Sequence, residues 1–103
     1  MKALTIEEQI DILTLAKKHY LKNICHEGMC YSIYYILDNE DIDTDNFDID
    51  DYIPSFNRDS LIVAGNMGLI PEVTGYIYWW DRDDTTIRPK VFDYLIEELE
   101  KLK

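Results

Sequence analysis

The sequence predicts a small, mainly α single domain spanning residues 1–103, with about four helices and one or two short strands or an extended aromatic segment. Three observations predict it. Apolar residues recur at three- and four-residue spacing in several windows, which is the period of a helix with one buried face. Helix starts and stops are written into the flanks of those windows. A hydrophobic fraction of 47% in 103 residues, 13% of them aromatic, supplies one core, since a chain of this size buries roughly two thirds of its extended surface.

Thr5-Ile6-Glu7-Glu8 is a capping box, in which the Thr5 hydroxyl and the Glu8 carboxylate satisfy each other's backbone N–H groups at a helix start. Ile6, Ile10, Leu13, Tyr20 and Ile24 follow on one face, and Lys17, Lys18 and Lys22 lie toward the negative end of the dipole, so a helix is expected over about 6–23. Asn23 terminates it and Gly28 marks the turn. Met29, Cys30, Ile33, Tyr34 and Leu37 give a second helix of about three turns, joined to the first as an antiparallel hairpin.

From Asp38 the pattern is lost. Asp41-Ile42-Asp43-Thr44-Asp45 alternates like a strand, but the phase slips at Asn46-Phe47, and aspartate suits neither strands nor helix interiors. An irregular loop with one short helical turn is expected, held by Ile42, Phe47, Ile49 and Tyr52. Pro54 bars helix at Ile53, and Ser55 or Asn57 caps a third long helix through Leu61, Ile62 and Ala64, ended by Gly65-Asn66-Met67-Gly68. Pro71 and Gly75 bracket a loop, Tyr76-Ile77-Tyr78-Trp79-Trp80 reads as a strand or buried extended segment, and Asp81-Arg82-Asp83-Asp84 reads as a turn. Arg88-Pro89 opens the last helix, whose stripe is Phe92, Leu95, Ile96, Leu99 and Leu102.

Charge narrows function. The chain carries 10 basic and 21 acidic residues, a net charge of −11, and lacks the basic footprint that phosphate binding requires. Direct nucleic-acid binding is therefore not expected. The longest apolar runs, such as Leu61-Ile62-Val63-Ala64, fall far short of a bilayer span, and no charged-then-apolar segment opens the chain. No membrane partner and a cytoplasmic location in a host cell are the expectation, with Cys25 and Cys30 as thiols.

The negative charge is concentrated. Asp38, Glu40, Asp41, Asp43, Asp45, Asp48, Asp50 and Asp51 fall within fifteen residues, 38–52, that contain no base. Such blocks are solvated loops or interaction surfaces.

Several chemistries have candidate residues in the chain. Cys25-His26, Cys30 and His19 are zinc-ligand types, but they cluster around one helix end with no second Cys/His pair elsewhere, and a packed thiol explains Cys30 better. Gly28-Met29-Cys30 opening a helix resembles the nucleophile position of papain-like and transglutaminase-like enzymes, yet no histidine follows His26 to serve as base. Asp41, Asp43 and Asp45 copy the first ligands of a calcium loop, which then needs glycine where Asn46 stands and glutamate where Tyr52 stands. Trp79-Trp80, Tyr31, Tyr34 and Tyr35 form a stacking platform only against the chain's own charge, so core packing is preferred, with one Trp left for a partner. No glycine-rich phosphate loop, Ser-His-Asp set or HExxH motif is present. Accordingly no catalytic residue, metal or cofactor is assigned, and the protein is read as a binding protein rather than an enzyme.

Ile53-Pro54-Ser55-Phe56-Asn57-Arg58-Asp59, with Tyr78-Trp79-Trp80 followed by Arg88, Phe92-Asp93 and Leu95-Ile96, resembles small uncharacterised phage and prophage proteins over the C-terminal half. Those proteins have no assigned activity, so the resemblance implies no functional residue. By size and charge alone the chain is also similar to acidic phage inhibitors of bacterial defence nucleases, anti-CRISPR proteins among them, that imitate nucleic acid.

The expectation is a DNA-mimicking inhibitor or modulator of a host nucleic-acid-handling protein. Its partner-binding residues are the eight acids above and Tyr52, with Phe47, Tyr52 or a Trp as anchor on the partner's basic surface. Two alternatives come from other classes: a small-ligand or metal-binding module at the Cys25–Cys30 turn, and a virion or assembly component.

Overall fold

The capping box forms as read. In the computed structural model, which describes residues 3–22, 28–70 and 87–103, the Thr5 N–H donates to Glu8 Oε1 at 3.0 Å and the Glu8 N–H donates to Thr5 Oγ1 at 3.1 Å. That box opens α1, Ile6–Lys22. Four further helices follow among the described residues: α2, Met29–Asn39; α3, Ile49–Tyr52; α4, Arg58–Asn66; and α5, Arg88–Glu100. The fold is thus mainly α, and α3 is the short helical turn expected within the acidic stretch. Residues 23–27 and 71–86 lie outside the described set. The readings of Cys25, His26, the Tyr76–Trp80 segment and the 81–84 turn fall there.

Helix α1 is the centre of the molecule, packed between α2 and α5. His19 meets Ser32, 2.9 Å from His19 Nδ1 to Ser32 Oγ, while Lys17 pairs with Asp93 at 2.6 Å and Lys103 reaches Glu7 at 3.7 Å. Late residues of α1 therefore meet early residues of both neighbours, so α1 runs antiparallel to each. Leu13, Ala16, Ile33, Leu37, Val91 and Phe92 are completely enclosed where the three helices meet. Fully burying one such large apolar side chain contributes roughly 1.5–3 kcal/mol, which far exceeds what helix propensity supplies.

Two helix ends share one device. Gly68, at φ 79°, follows α4, with its N–H on the Gly65 carbonyl at 3.1 Å and the Leu69 N–H on the Ala64 carbonyl at 2.9 Å. This is a Schellman closure, which places its next-to-last residue in the left-handed region. The same closure ends α2 through Asp41, at φ 59°: Asp41 N–H bonds the Asp38 carbonyl at 3.1 Å and Ile42 N–H bonds the Leu37 carbonyl at 3.0 Å. At α4 the residue is glycine; at α2 it is an aspartate.

Asn57, not Ser55, caps α4, accepting the Ser60 N–H on Oδ1 at 3.0 Å. Pro89 occupies the first turn of α5, as its missing N–H favours. No described helix is long and apolar enough to cross a membrane.

Candidate functional site

The acidic segment is an ordered excursion between α2 and α4, organised by its own side chains. Asp38 Oδ1 accepts the Thr44 hydroxyl at 2.7 Å. Asp43 accepts the Asp45 N–H at 3.0 Å on Oδ1 and the Asn46 amide at 2.9 Å on Oδ2. Asp51 Oδ2 accepts the Asp48 N–H at 2.8 Å, closing the first turn of α3. Local bonds of this kind are what aspartate offers an irregular backbone. The excursion is tied back to the body where the Leu4 N–H donates to the Tyr52 carbonyl at 3.0 Å.

All eight acids are exposed. They fall into two groups. Asp38, Asp43 and Asp51 hold the loop together, and Asp48 opens α3. The carboxylates of Glu40, Asp41, Asp45 and Asp50 take no hydrogen bond and no ion pair among the described residues. The ion pairs that do form between described residues engage Glu7, Asp93, Glu98 and Glu100 instead. The Asp43 carboxyl is held below its ordinary range, chiefly by the Asn46 amide and then by the Asp45 N–H.

Tyr52 requires a correction. It was expected to face a partner, but it is only 1% exposed. Its ring meets Phe47 edge-on at 6.0 Å, and its hydroxyl donates to the Asp43 carbonyl. Burial pushes the phenol pKa up, and the Asp43 and Asp51 carboxylates push the same way. Tyr52 therefore fixes the loop from beneath rather than anchoring a partner. The sequence pointed both ways, naming Tyr52 as a holder of the acidic loop and as a partner anchor, and its burial bears out the first role alone. Phe47 is half-buried against the same core.

The alternative chemistries can be located on the fold. Cys30 lies half-buried near the start of α2, and burial raises its thiol pKa by more than Arg58 and Arg88 lower it. That is the opposite of an activated thiolate. His19 stacks on Tyr35 at 4.2 Å with its Nδ1 on Ser32, whose side chain is fully buried. Among the described residues neither Cys30 nor His19 joins a cluster that a metal could bridge; Cys25 and His26 lie outside that set. Nor do Asp41, Asp43 and Asp45 converge as in a calcium loop. The carboxylates that do approach, within 4.8 Å of one another, are Asp48, Asp50 and Asp51, all exposed to solvent.

Compared with known protein families, curated proteins and solved structures, the chain matches none.

Proposed function

We propose that this is a binding protein whose acidic excursion docks on the basic surface of a host nucleic-acid-handling protein and occupies the place of phosphates there, inhibiting or modulating that partner. The carrying observation is that eight exposed carboxylates are gathered on the last turn of α2 and the excursion that follows it, and that four of them, Glu40, Asp41, Asp45 and Asp50, are not engaged by described residues of the same chain. Asp41 adds to it. It occupies a left-handed position where glycine suits the backbone better, so the local fold gains nothing from an acid there. Duplex DNA presents about one negative charge per 1.7 Å, and proteins that grip it line up lysine and arginine to match. A row of carboxylates held on a hydrogen-bonded loop offers those cations a substitute ligand. Such complementarity chiefly speeds association and weakens with salt.

The test is capture from a bacterial lysate with added duplex DNA as competitor. Supporting outcomes are recovery of nucleic-acid-binding proteins, their displacement by DNA, and their loss when Glu40→Gln, Asp41→Asn, Asp45→Asn and Asp50→Asn are combined. Capture that neither DNA nor the combined variant disturbs would contradict the proposal.

A further inference from the structure

Beside the acidic excursion, the antiparallel pairing of α1 and α2 leaves a trough. It runs along the outer side of the first half of α1 and is closed at its far wall by the residues that follow α2. Its walls are apolar: Ile12 at the floor, Leu4 and Ile42 half-buried, and Leu15 41% exposed at the lip. Two structural details create it. The left-handed turn at Asp41 brings Ile42 back beside Leu37, and the Leu4 N–H bond to the Tyr52 carbonyl holds the chain's entry strap across the end of α1. The space between them is about 560 Å³, enough for side chains rather than a few waters.

The polar groups around this trough have one sign. Glu8, Asp11 and Glu40 stand on its rim, and among the described residues no lysine or arginine lines it. Glu8 is spent on the Thr5 N–H, whereas Asp11 and Glu40 are exposed. A second copy of this chain, at net charge −11, would bring like rims together, which disfavours self-association here. Apolar walls inside an acidic border match an apolar side chain carried between cations.

We infer that this trough receives a Lys/Arg-flanked, apolar-faced segment of the partner protein, most simply an amphipathic helix laid along α1, while the adjoining carboxylates meet the partner's remaining cations. The inference rests on the proposed function for the partner's basic character and adds the anchor that Tyr52 does not provide. Charge alone gives fast, weak, salt-sensitive encounter; an inserted apolar side chain slows departure.

The probe is a fluorescent helical peptide of leucine and lysine with all leucines on one face, set against a scrambled peptide of identical composition. The intact protein is expected to bind the patterned peptide about tenfold more tightly, the difference that burying one large apolar side chain supplies. Thr14→Trp, which fills the trough from an exposed position, and Leu15→Ser, which thins its lip, are each expected to erase that preference, with unchanged circular dichroism showing that the fold survives. Asp41→Asn with Asp45→Asn and Asp50→Asn is expected to weaken both peptides alike and leave the preference standing. Equal binding of the two peptides, or a preference that survives Thr14→Trp, overturns the trough while leaving the acidic docking surface intact. A preference retained alongside lysate capture that DNA does not compete would uphold the trough and remove phosphate replacement.

Discussion

At the scale of single residues, two positions with the same backbone geometry carry opposite chemistry. Gly68 and Asp41 each sit at the left-handed residue of a helix closure. Placing an alanine side chain there costs about 1 kcal/mol, so Gly68→Ala should lower stability by about that much, and Asp41→Gly should raise it by less, because aspartate tolerates the left-handed region better than alanine, read as opposite shifts in the urea midpoint. A gain from Asp41→Gly would show that the acid at 41 is not there to serve the fold. Asp43 gives a pH signature. Because the Asn46 amide and the Asp45 N–H bond its charged form, its folded pKa lies below its unfolded one. Its stabilisation is then present above the unfolded pKa, roughly 3.9, and disappears as pH falls through the lower folded value. The difference in urea midpoint between the wild type and Asp43→Asn should accordingly shrink as pH is lowered from about 5 to below 3. Glu8, whose carboxyl is lowered by its bonds to Thr5, follows the same sign.

Among elements, α1 unites the structure, since α2 and α5 both pack against it. Phe92 is fully enclosed, its ring 6.1 Å from that of Tyr20 across the α1 to α5 interface. Phe92→Ala should cost roughly 3–5 kcal/mol, measured by urea unfolding, through lost burial and the cavity left behind. Asn57→Ala at the α4 start should cost about 1 kcal/mol in the same measurement. These long elements were legible because their signals are local and redundant. The Thr5 to Glu8 box, the three- and four-residue apolar spacing and Pro89 each mark α1 or α5 independently. The Asp41 closure was not legible, because glycine is the residue that announces such a closure and an aspartate within an acidic run does not, so only the two backbone bonds to Asp38 and Leu37 reveal it. The trough was hidden for a related reason: Leu4, Ile12, Leu15 and Ile42 belong to three separate stretches of chain, and no spacing within any one of them records that they meet.

On the scale of the whole molecule, composition located the acidic surface but could not sort its members. Eight acids in one run look alike in sequence; their hydrogen bonds divide them into carboxylates that build the loop and carboxylates left to solvent. A body with its charge concentrated in this way should associate with a basic partner at a rate that falls steeply with ionic strength, while its own unfolding midpoint rises as salt screens the repulsion among its carboxylates. Separating loop-building acids from solvent-facing ones also yields a cleaner variant than wholesale neutralisation, since Asp38, Asp43 and Asp51 stay in place.

The most direct measurement is therefore capture of the partner by the protein carrying Glu40→Gln, Asp41→Asn, Asp45→Asn and Asp50→Asn together, with circular dichroism and the urea midpoint recorded on the same sample. A native spectrum, an undiminished midpoint and lost capture are predicted. Capture at wild-type strength by a natively folded variant would contradict the claim that those carboxylates are the recognition surface.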